Sequence, residues 1–318
     1  MLKFKRISLS SIEMNIHQVV IWGHKLHTHT HSYIHNAFFK TFTYLRYKTQ
    51  WFDMKDSINN VNFENTLFLT EGQVDHNIPL RNDGYYILHN CKMDKYKSLP
   101  KKNILILQVY THDVLKRNCI KIDDCIYYSP MTENSYAILY IPWATDLHPE
   151  EINQNIETLG KTPAKDQIVM VGTKVPEWKQ IEDFCNANRI LYKVIGGKES
   201  VKVDIDTNKQ QTQESLLAPS IQMKWQVENG YIPCRIFKNI SYGKMGITNN
   251  ETVYHLFKQK ILYHPDIKEC LAMGLAFEKK DAEYKKNILI PLMEFVRDKH
   301  TYLHRIQTIM DCFLKGST

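Results

Sequence analysis

The sequence lacks any long hydrophobic run. No stretch approaches the roughly 18 consecutive apolar residues that a membrane-spanning helix needs, although hydrophobic residues make up 43% of the 318-residue chain. Residues 1–10 start basic but contain no apolar core segment and no small-residue cleavage site, so we expect no signal peptide. Charged residues make up 24%, which is typical of a globular protein. Because one hydrophobic core rarely spans a chain of this length, we expect two domains.

Paired cysteine motifs are also missing. The chain has seven cysteines, an odd number, and no C-x-x-C. Neither a disulfide framework nor a thiolate metal site is therefore predicted, and we expect reduced, mostly buried thiols in a cytoplasmic protein. These cysteines are Cys91, Cys119, Cys125, Cys185, Cys234, Cys270 and Cys312.

The excess of positive charge is small and dispersed. The formal net charge is +7, and the lysines are spread along the chain. A nucleic-acid-binding domain typically clusters its basic residues on one face, so we expect no nucleic-acid partner. A pocket for a diphosphate or contact with an acidic membrane surface explains the same excess.

Three nucleotide- or metal-binding motifs are missing or misplaced. No G-x-G-x-x-G follows the first predicted strand, and no P-loop motif occurs, which argues against an oxidoreductase, a kinase or an ATPase. Asp204 and Asp206 have the spacing of a D-x-D metal motif, but they lie in a polar stretch that we expect to be exposed.

Short apolar segments alternate with helical patterns in both halves of the chain, which predicts parallel sheets. In the first half, Ile34, Phe38, Phe42 and Leu45 have helical spacing, so we predict an amphipathic helix over residues 33–47. The predicted strands of this half are 18–22, 66–70, 85–89, 103–108, 125–128 and 137–141. In the second half we predict strands at 167–171, 191–195 and 246–248. Helices are predicted at 177–188, 221–228 and, after residue 250, up to 314 with a break at His264. The predicted fold class is α/β, with two doubly wound sheets facing one cleft.

Residues 142–156 (PWATDLHPEEINQNI) predict a hinge followed by a short helix. Asp146 is expected to cap that helix, with substrate contact as the alternative. The predicted domains are 1–145, which binds the acceptor, and 146–300, which binds the donor. A final segment, 301–318, is expected to form a helix that crosses back to the first domain.

Residues 231–250 (YIPCRIFKNISYGKMGITNN) carry the clearest motif. Pro233, Arg235, Phe237, a predicted short helix over 236–242 and Gly243 resemble the donor-binding stretch of GT-B glycosyltransferases. A helix amino terminus attracts phosphate, and a nearby arginine adds a charge-assisted clamp. Segment 214–228 and the hinge also resemble those of bacterial and large-DNA-virus glycosyltransferases. The resemblance implies two Rossmann-like domains and a nucleotide-sugar donor.

The resemblance also implies donor-binding residues. Lys238 stands where many retaining GT-B enzymes carry a glutamate that grips the donor ribose, so we expect it either to pair with the diphosphate or to point into solvent. For Trp225 and Tyr231 the alternative role is packing in the core. For Gly172 with Lys174, and for Gly196 with Gly197, the alternative role is an ordinary strand-ending turn. The expected donor-binding residues are Gly172, Lys174, Gly196, Gly197, Ser220, Trp225, Gln226, Tyr231, Pro233, Arg235, Lys238, Asn249 and Asn250.

Polar residues follow three predicted strands of the first half, at the edge where doubly wound sheets bind ligands. His24 and Glu71 are the catalytic candidates, either of which could accept a proton from an acceptor hydroxyl. For His24 the alternative is a solvated or capping histidine. His89 and Asn90 are candidates for acceptor binding. His24 belongs to a loop with five histidines, the others being His27, His29, His31 and His35. Because their spacing is unusual for zinc, we expect no metal.

We therefore expect a glycosyltransferase that needs no metal or other cofactor. Its acceptor would be a glycan, glycolipid or glycoprotein. The alternatives are a non-catalytic protein of the same shape that binds a sugar nucleotide or a partner, and a sugar-nucleotide epimerase. Aromatic and basic residues of the last helices could contact a membrane surface, although a packed helix with a solvated face gives the same pattern.

Overall fold

The first half of the chain forms one eight-stranded sheet. The computed structural model describes residues 16–25, 30–196 and 203–316. The strands lie in the order β2-β1-β3-β4-β5-β8-β7-β6, and every pairing from β2 to β8 is parallel, whereas β7 and β6 are antiparallel. The strands are β1 Gln18–Trp22, β2 Thr49–Phe52, β3 Thr66–Glu71, β4 Tyr85–His89, β5 Ile104–Gln108, β6 Ile120–Asp123, β7 Ile126–Ser129 and β8 Ala137–Tyr140.

The predicted amphipathic helix is present as α1, Thr30–Tyr44. Ile34, Phe38 and Phe42 are buried in the core, as their spacing predicts. The helix ends earlier than predicted, so Leu45 lies beyond it. Arg46 takes a left-handed backbone conformation with φ of 66°, which turns the chain towards β2.

Two strands of this sheet, β2 and β6, are not predicted from the sequence, and both lie at its edges. All four residues of β2 are only half-buried, and the first three residues of β6 are exposed. An edge strand buries little surface, so it lacks the continuous apolar run that identifies the central strands.

The second half forms a smaller parallel sheet. Its strands β9 Lys165–Val171, β10 Leu191–Ile195 and β11 Ser215–Leu217 have the order β10-β9-β11. A single parallel bridge between Ser220 and Thr248 leads to the parallel pair β12 Ile247–Thr248 and β13 Leu262–Tyr263. The remaining helices are α2 Pro149–Glu157, α3 Trp178–Asn188, α4 Ile205–Gln213, α5 Lys224–Glu228, α6 Cys234–Ser241, α7 Glu251–Leu256, α8 Ile267–Glu278, α9 Ala282–Lys299 and α10 Tyr302–Gly316.

The structure corrects the helix-capping role expected for Asp146 in the hinge. Helix α2 begins after His148, and the backbone N–H of that residue donates to Glu151 at 2.7 Å. Asp146 lies too early in the chain to cap α2. Asp204 and Asp206 are exposed, as expected, and the side chain of Asp204 caps α4 by accepting the Thr207 N–H.

The last helix returns to the first sheet. The ring of Tyr302 packs edge-on against Phe38 of α1 at a centroid distance of 4.8 Å. Phe313 lies 6.0 Å from Tyr85 of β4. The division of the chain at 145/146 and 300/301 stays a prediction.

Helix α9 buries one face and leaves charged residues on the other. Leu292 and Met293 are in the core, while Arg297 forms ion pairs with Glu294 and Asp298. A membrane contact of this helix stays a prediction. In the part of the chain that the structure describes, no helix is long and apolar enough to span a bilayer.

Candidate functional site

A cavity of about 340 Å³ lies between the two sheets. One wall is α1 and the chain that follows β8, and the other is the carboxyl edge of β9 and β10 with the loop after β11 and the start of α6. In open parallel sheets this edge is where ligands bind. The polar and charged lining residues include Tyr33, Asp146, Gln222, Gln226, Arg235 and Lys238.

Arg235 brings a positive charge into this cavity. Its Nε and Nη2 atoms donate to the carbonyl oxygen of Val171 at 3.1 and 2.6 Å, and its guanidinium lies 5.1 Å from the centre of the Trp178 ring. Among the described residues no carboxylate forms an ion pair with it. Burial lowers the pKa of Arg235, because the desolvated cation lacks a compensating anion. The contacts thus orient the guanidinium without neutralising it.

The first turn of α6 lines the cavity beside Arg235. Pro233 is the residue before the helix, and no side chain caps the helix amino terminus. Pro233, Cys234 and Arg235 all border the cavity. An uncapped helix amino terminus offers backbone N–H groups and a positive dipole to an anion. The site therefore combines two sources of positive potential.

Lys238 follows one turn later and pairs with Asp146. Its Nζ lies 2.8 Å from Asp146 Oδ2, and Tyr242 donates its hydroxyl to Asp146 Oδ1 at 2.7 Å. Burial raises the pKa of Asp146, but the Lys238 ammonium outweighs it and leaves that pKa below its usual value. Burial likewise lowers the pKa of Lys238, and Asp146 reverses the direction, so the lysine stays charged. Lys238 therefore faces the cavity and not the solvent.

Two glycines bring the backbone close to the cavity. Gly172 has φ of +126°, and a Cβ there would lie 3.0 Å from Arg235 Nη2. Gly196 has φ of +73°, and a Cβ there would lie 3.4 Å from the hydroxyl of Tyr33. Both conformations favour glycine. The predicted residue Gly197 lies outside the described residues.

The loop after β11 is held by two asparagines behind it. Asn249 accepts the backbone N–H of Gln222 at 2.9 Å and donates to its carbonyl oxygen at 3.0 Å. Asn250 donates to the side-chain oxygen of Gln222 at 2.9 Å. Ile221, Gln222 and Met223 line the cavity, whereas the asparagines do not. Asn249 and Asn250 therefore position this wall without contacting the cavity.

The structure separates the predicted donor-binding residues into two groups. Lys174 is turned away, paired with Glu182 at 3.4 Å on the surface. Ser220 is buried at its bridge to Thr248. Trp225 is 55% exposed and packs against Tyr110 at 5.0 Å. The residues that do line the cavity are Gly172, Gly196, Gln226, Tyr231, Pro233, Arg235 and Lys238.

The two catalytic candidates meet at the first sheet, outside the cavity lining. His24 follows β1 and Glu71 ends β3, and because these strands are parallel neighbours their carboxyl ends coincide. The His24 Nε2 and Glu71 Oε2 atoms are 3.1 Å apart, and both residues are buried. Burial raises the pKa of Glu71, but hydrogen bonds from His24 and the Gln73 N–H outweigh it and hold that pKa at about 2.

Three more histidines surround this pair. The rings of His31 and His35 lie 5.5 and 5.3 Å from that of His24, and His31 lies 5.3 Å from His89. Burial lowers the pKa of His35 to about 4, so it is neutral. Asn90 takes a left-handed conformation with φ of 53° beyond β4 and is exposed.

His31 and His35 were not among the predicted site residues. Their i, i+4 spacing, which places both on one face of α1, was the signal that could have identified them. Ile34 lines both the main cavity and a small void of about 10 Å³ beside His31, His35 and His89. His27 and His29 lie outside the described residues.

The chain matches no protein-family model and no curated protein sequence. Its fold does match solved structures. The DNA-modifying enzyme β-glucosyltransferase superposes with a TM-score of 0.55 at 12% identity, over 94% of this chain and 99% of that chain. An α1,3-fucosyltransferase gives 0.47 at 9% over 94% and 89%. The N-terminal domain of Candida albicans trehalose-6-phosphate phosphatase gives 0.48 at 10% over 82% and 72%. The predicted GT-B fold is confirmed.

Proposed function

We propose that the protein is a glycosyltransferase that takes a sugar from a nucleotide-sugar donor bound in the main cavity. The observation that carries the proposal is Arg235, a partly buried cation beside an uncapped helix amino terminus, with no carboxylate partner in the described parts of the chain. A desolvated cation of this kind is stabilised by a bound anion. A diphosphate supplies that anion, and the GT-B fold supports a nucleotide sugar as its carrier.

Sugar transfer leaves negative charge on the departing diphosphate. Arg235 and the first turn of α6 would stabilise that charge, and Lys238 adds a second cation in the same cavity. Asp146 holds Lys238 in place at 2.8 Å. Since these groups are fixed before the reaction, we propose that the leaving group departs without a metal ion on the diphosphate.

The nucleoside would lie against the wall formed by Ile221, Gln222 and Met223. The acceptor would approach from the side of the first sheet, where His89 and Asn90 stay predicted acceptor contacts. We propose a glycan, glycolipid or glycoprotein acceptor in the cytoplasm. His24 and Glu71 stay the predicted proton acceptors of the reaction.

A second candidate function is sugar-nucleotide binding without transfer. It is favoured by one observation: His24 and Glu71 do not line the main cavity. An epimerase is a further alternative, and it would release a free or epimerised sugar without an acceptor.

The test is chromatography of UDP-, GDP-, dTDP- and CMP-sugars after incubation with the protein, with and without glycan, glycolipid or glycoprotein acceptors, together with calorimetric measurement of nucleotide binding. Duplex DNA is added to the acceptor panel because the β-glucosyltransferase neighbour modifies DNA. Slow release of one nucleotide that accelerates with an acceptor supports a transferase. Nucleotide binding without any release supports the binding protein, and an altered sugar supports the epimerase. Neither binding nor turnover with any donor would contradict the donor-site proposal.

A further inference from the structure

The loop after β1, the start of α1 and the end of β3 bring three metal-ligating side chains together. They are His24, His31 and Glu71, and one ligand atom from each lies within 4.8 Å of the other two. His24 and Glu71 meet because their strands are parallel neighbours. His31 joins them from the first turn of α1, which covers the same edge of the sheet.

We propose that His24, His31 and Glu71 form a binding site for one divalent transition-metal ion, with zinc as the best match. This site goes beyond the proposed sugar transfer, because it lies outside the cavity that would bind the donor. It gives His24 and Glu71 a different role from that of proton acceptors, since a side chain that ligates an ion does not also accept a proton with the same atom. It also revises the expectation, drawn from the spacing of the loop histidines, that the protein binds no metal.

The spacing of the three ligand atoms is compatible with a tetrahedral site. Zinc–nitrogen and zinc–oxygen bonds of about 2.1 Å place neighbouring ligand atoms roughly 3.4 Å apart. The His24 and Glu71 atoms are already 3.1 Å apart. His31 completes the set within the 4.8 Å span, so a modest rotation of side chains is enough to close it.

The ligand types select the metal. Two imidazoles and one carboxylate match the three-ligand sets of open zinc sites, which leave a fourth position for water. Magnesium and calcium prefer sets made of oxygen ligands, so neither suits two histidines. Glu71 is 1% exposed and His24 6% exposed, whereas His31 is only half-buried. An ion could therefore enter past His31 and then be shielded by the other two ligands.

The surroundings hold the ligands in place. Glu71 Oε2 accepts the Gln73 N–H at 3.0 Å, and His35 donates Nδ1 to the Gly23 carbonyl oxygen at 2.9 Å, next to His24 in the chain. His89 donates Nδ1 to the Leu107 carbonyl oxygen at 3.1 Å and packs against His31. Such outer contacts tune metal affinity by roughly 10- to 100-fold.

The test is a zinc titration of the full, chelator-stripped chain against a chromophoric competitor, with Co²⁺ absorption as a second readout of coordination. The wild type should bind one ion per chain. His31→Gln and Glu71→Gln should each weaken binding more than the roughly 10- to 100-fold that an outer-contact change produces. His31→Gln is the key variant, since His31 is half-buried and its loss should leave the fold intact.

Two control variants separate this site from incidental histidine binding. A His27→Gln/His29→Gln double variant removes the other loop histidines, and His255→Gln removes an exposed one on α7. Both should keep wild-type affinity. No stoichiometric binding would overturn the proposal, and so would binding that is lost in the double variant but kept in His31→Gln. Donor binding is measured separately, so failure here does not bear on the proposed transfer.

Discussion

The ammonium of Lys238 lies 2.8 Å from the carboxylate of Asp146. This ion pair joins helix α6, in the second half of the chain, to the hinge that follows the eight-stranded sheet. Both side chains are largely buried, at 13% and 4% exposure. The pair thus does two things: it connects the two halves of the molecule, and it fixes a cation at the wall of the cavity.

Breaking this ion pair should destabilise the protein strongly. Asp146→Asn leaves Lys238 buried without its anion, and we expect a loss of about 3 kcal/mol in the free energy of unfolding. Asp146→Asn combined with Lys238→Met should lose less than the sum of the single changes, because the unpaired charge is gone. Urea unfolding of the four proteins measures this coupling. The exposed pair of Lys174 and Glu182 is the control, and Lys174→Met should cost under about 1 kcal/mol. Additive losses at Asp146 and Lys238 would refute the coupling.

Gly172→Ala should damage the site beyond its cost to stability. A Cβ there would press on Arg235 Nη2 at 3.0 Å, so we expect weaker nucleotide binding. Gly160→Ala is a matched control, since Gly160 also has positive φ, at +84°, but its Cβ would meet only Lys286 at 3.8 Å. Both variants should lose roughly 1–3 kcal/mol of stability from backbone strain. Equal nucleotide affinities in the two variants would show that the contact with Arg235 has no role.

His300 should make stability depend on pH. It is 3% exposed, and burial with the nearby Arg305, His304 and Lys299 holds its pKa well below the usual value. Arg305 Nη2 lies 3.0 Å from its Nδ1, which suits a neutral ring that accepts this hydrogen bond.

The sign follows from proton uptake. Below about pH 6.5 the unfolded state binds a proton at His300 and the folded state does not. The free energy of unfolding therefore falls as pH falls. One such group contributes a slope approaching about 1.4 kcal/mol per pH unit. Urea unfolding between pH 7 and pH 5 should show a shallower slope for His300→Gln than for the wild type. Identical slopes would mean that His300 takes up its proton equally in the folded and unfolded states, which would contradict the lowered pKa.

The central strands could be predicted because burial on both faces requires continuous apolar residues. All five residues of β1 are buried, and its predicted bounds match the structure. The edge strands β2 and β6 could not be predicted, since their pairing depends on partners distant in sequence. Helix α1 was recognisable from Ile34, Phe38 and Phe42, whose spacing reports one buried face.

The site was predictable where chemistry depends on a local motif. Arg235 stands at the start of a short helix, and that local pattern placed it beside the cavity. The sequence could not show which carboxylate meets Lys238, because Asp146 is 92 positions away in a hinge. Lys174 has the position of a phosphate contact after β9, but Glu182 on α3 draws it to the surface. Pairings of this kind depend on how two distant segments pack.

The most direct measurement is calorimetric titration of the wild type, Arg235→Ala and Lys174→Ala with UDP, GDP, dTDP and CMP, each with and without EDTA. We expect that one nucleotide binds the wild type, that EDTA leaves its affinity unchanged, and that Lys174→Ala binds it equally well. Arg235→Ala should lose about 2 kcal/mol of binding free energy, or roughly 30-fold in affinity, with the charge-assisted hydrogen bonds. No binding by any nucleotide, or equal affinity in Arg235→Ala, would contradict a donor site in this cavity.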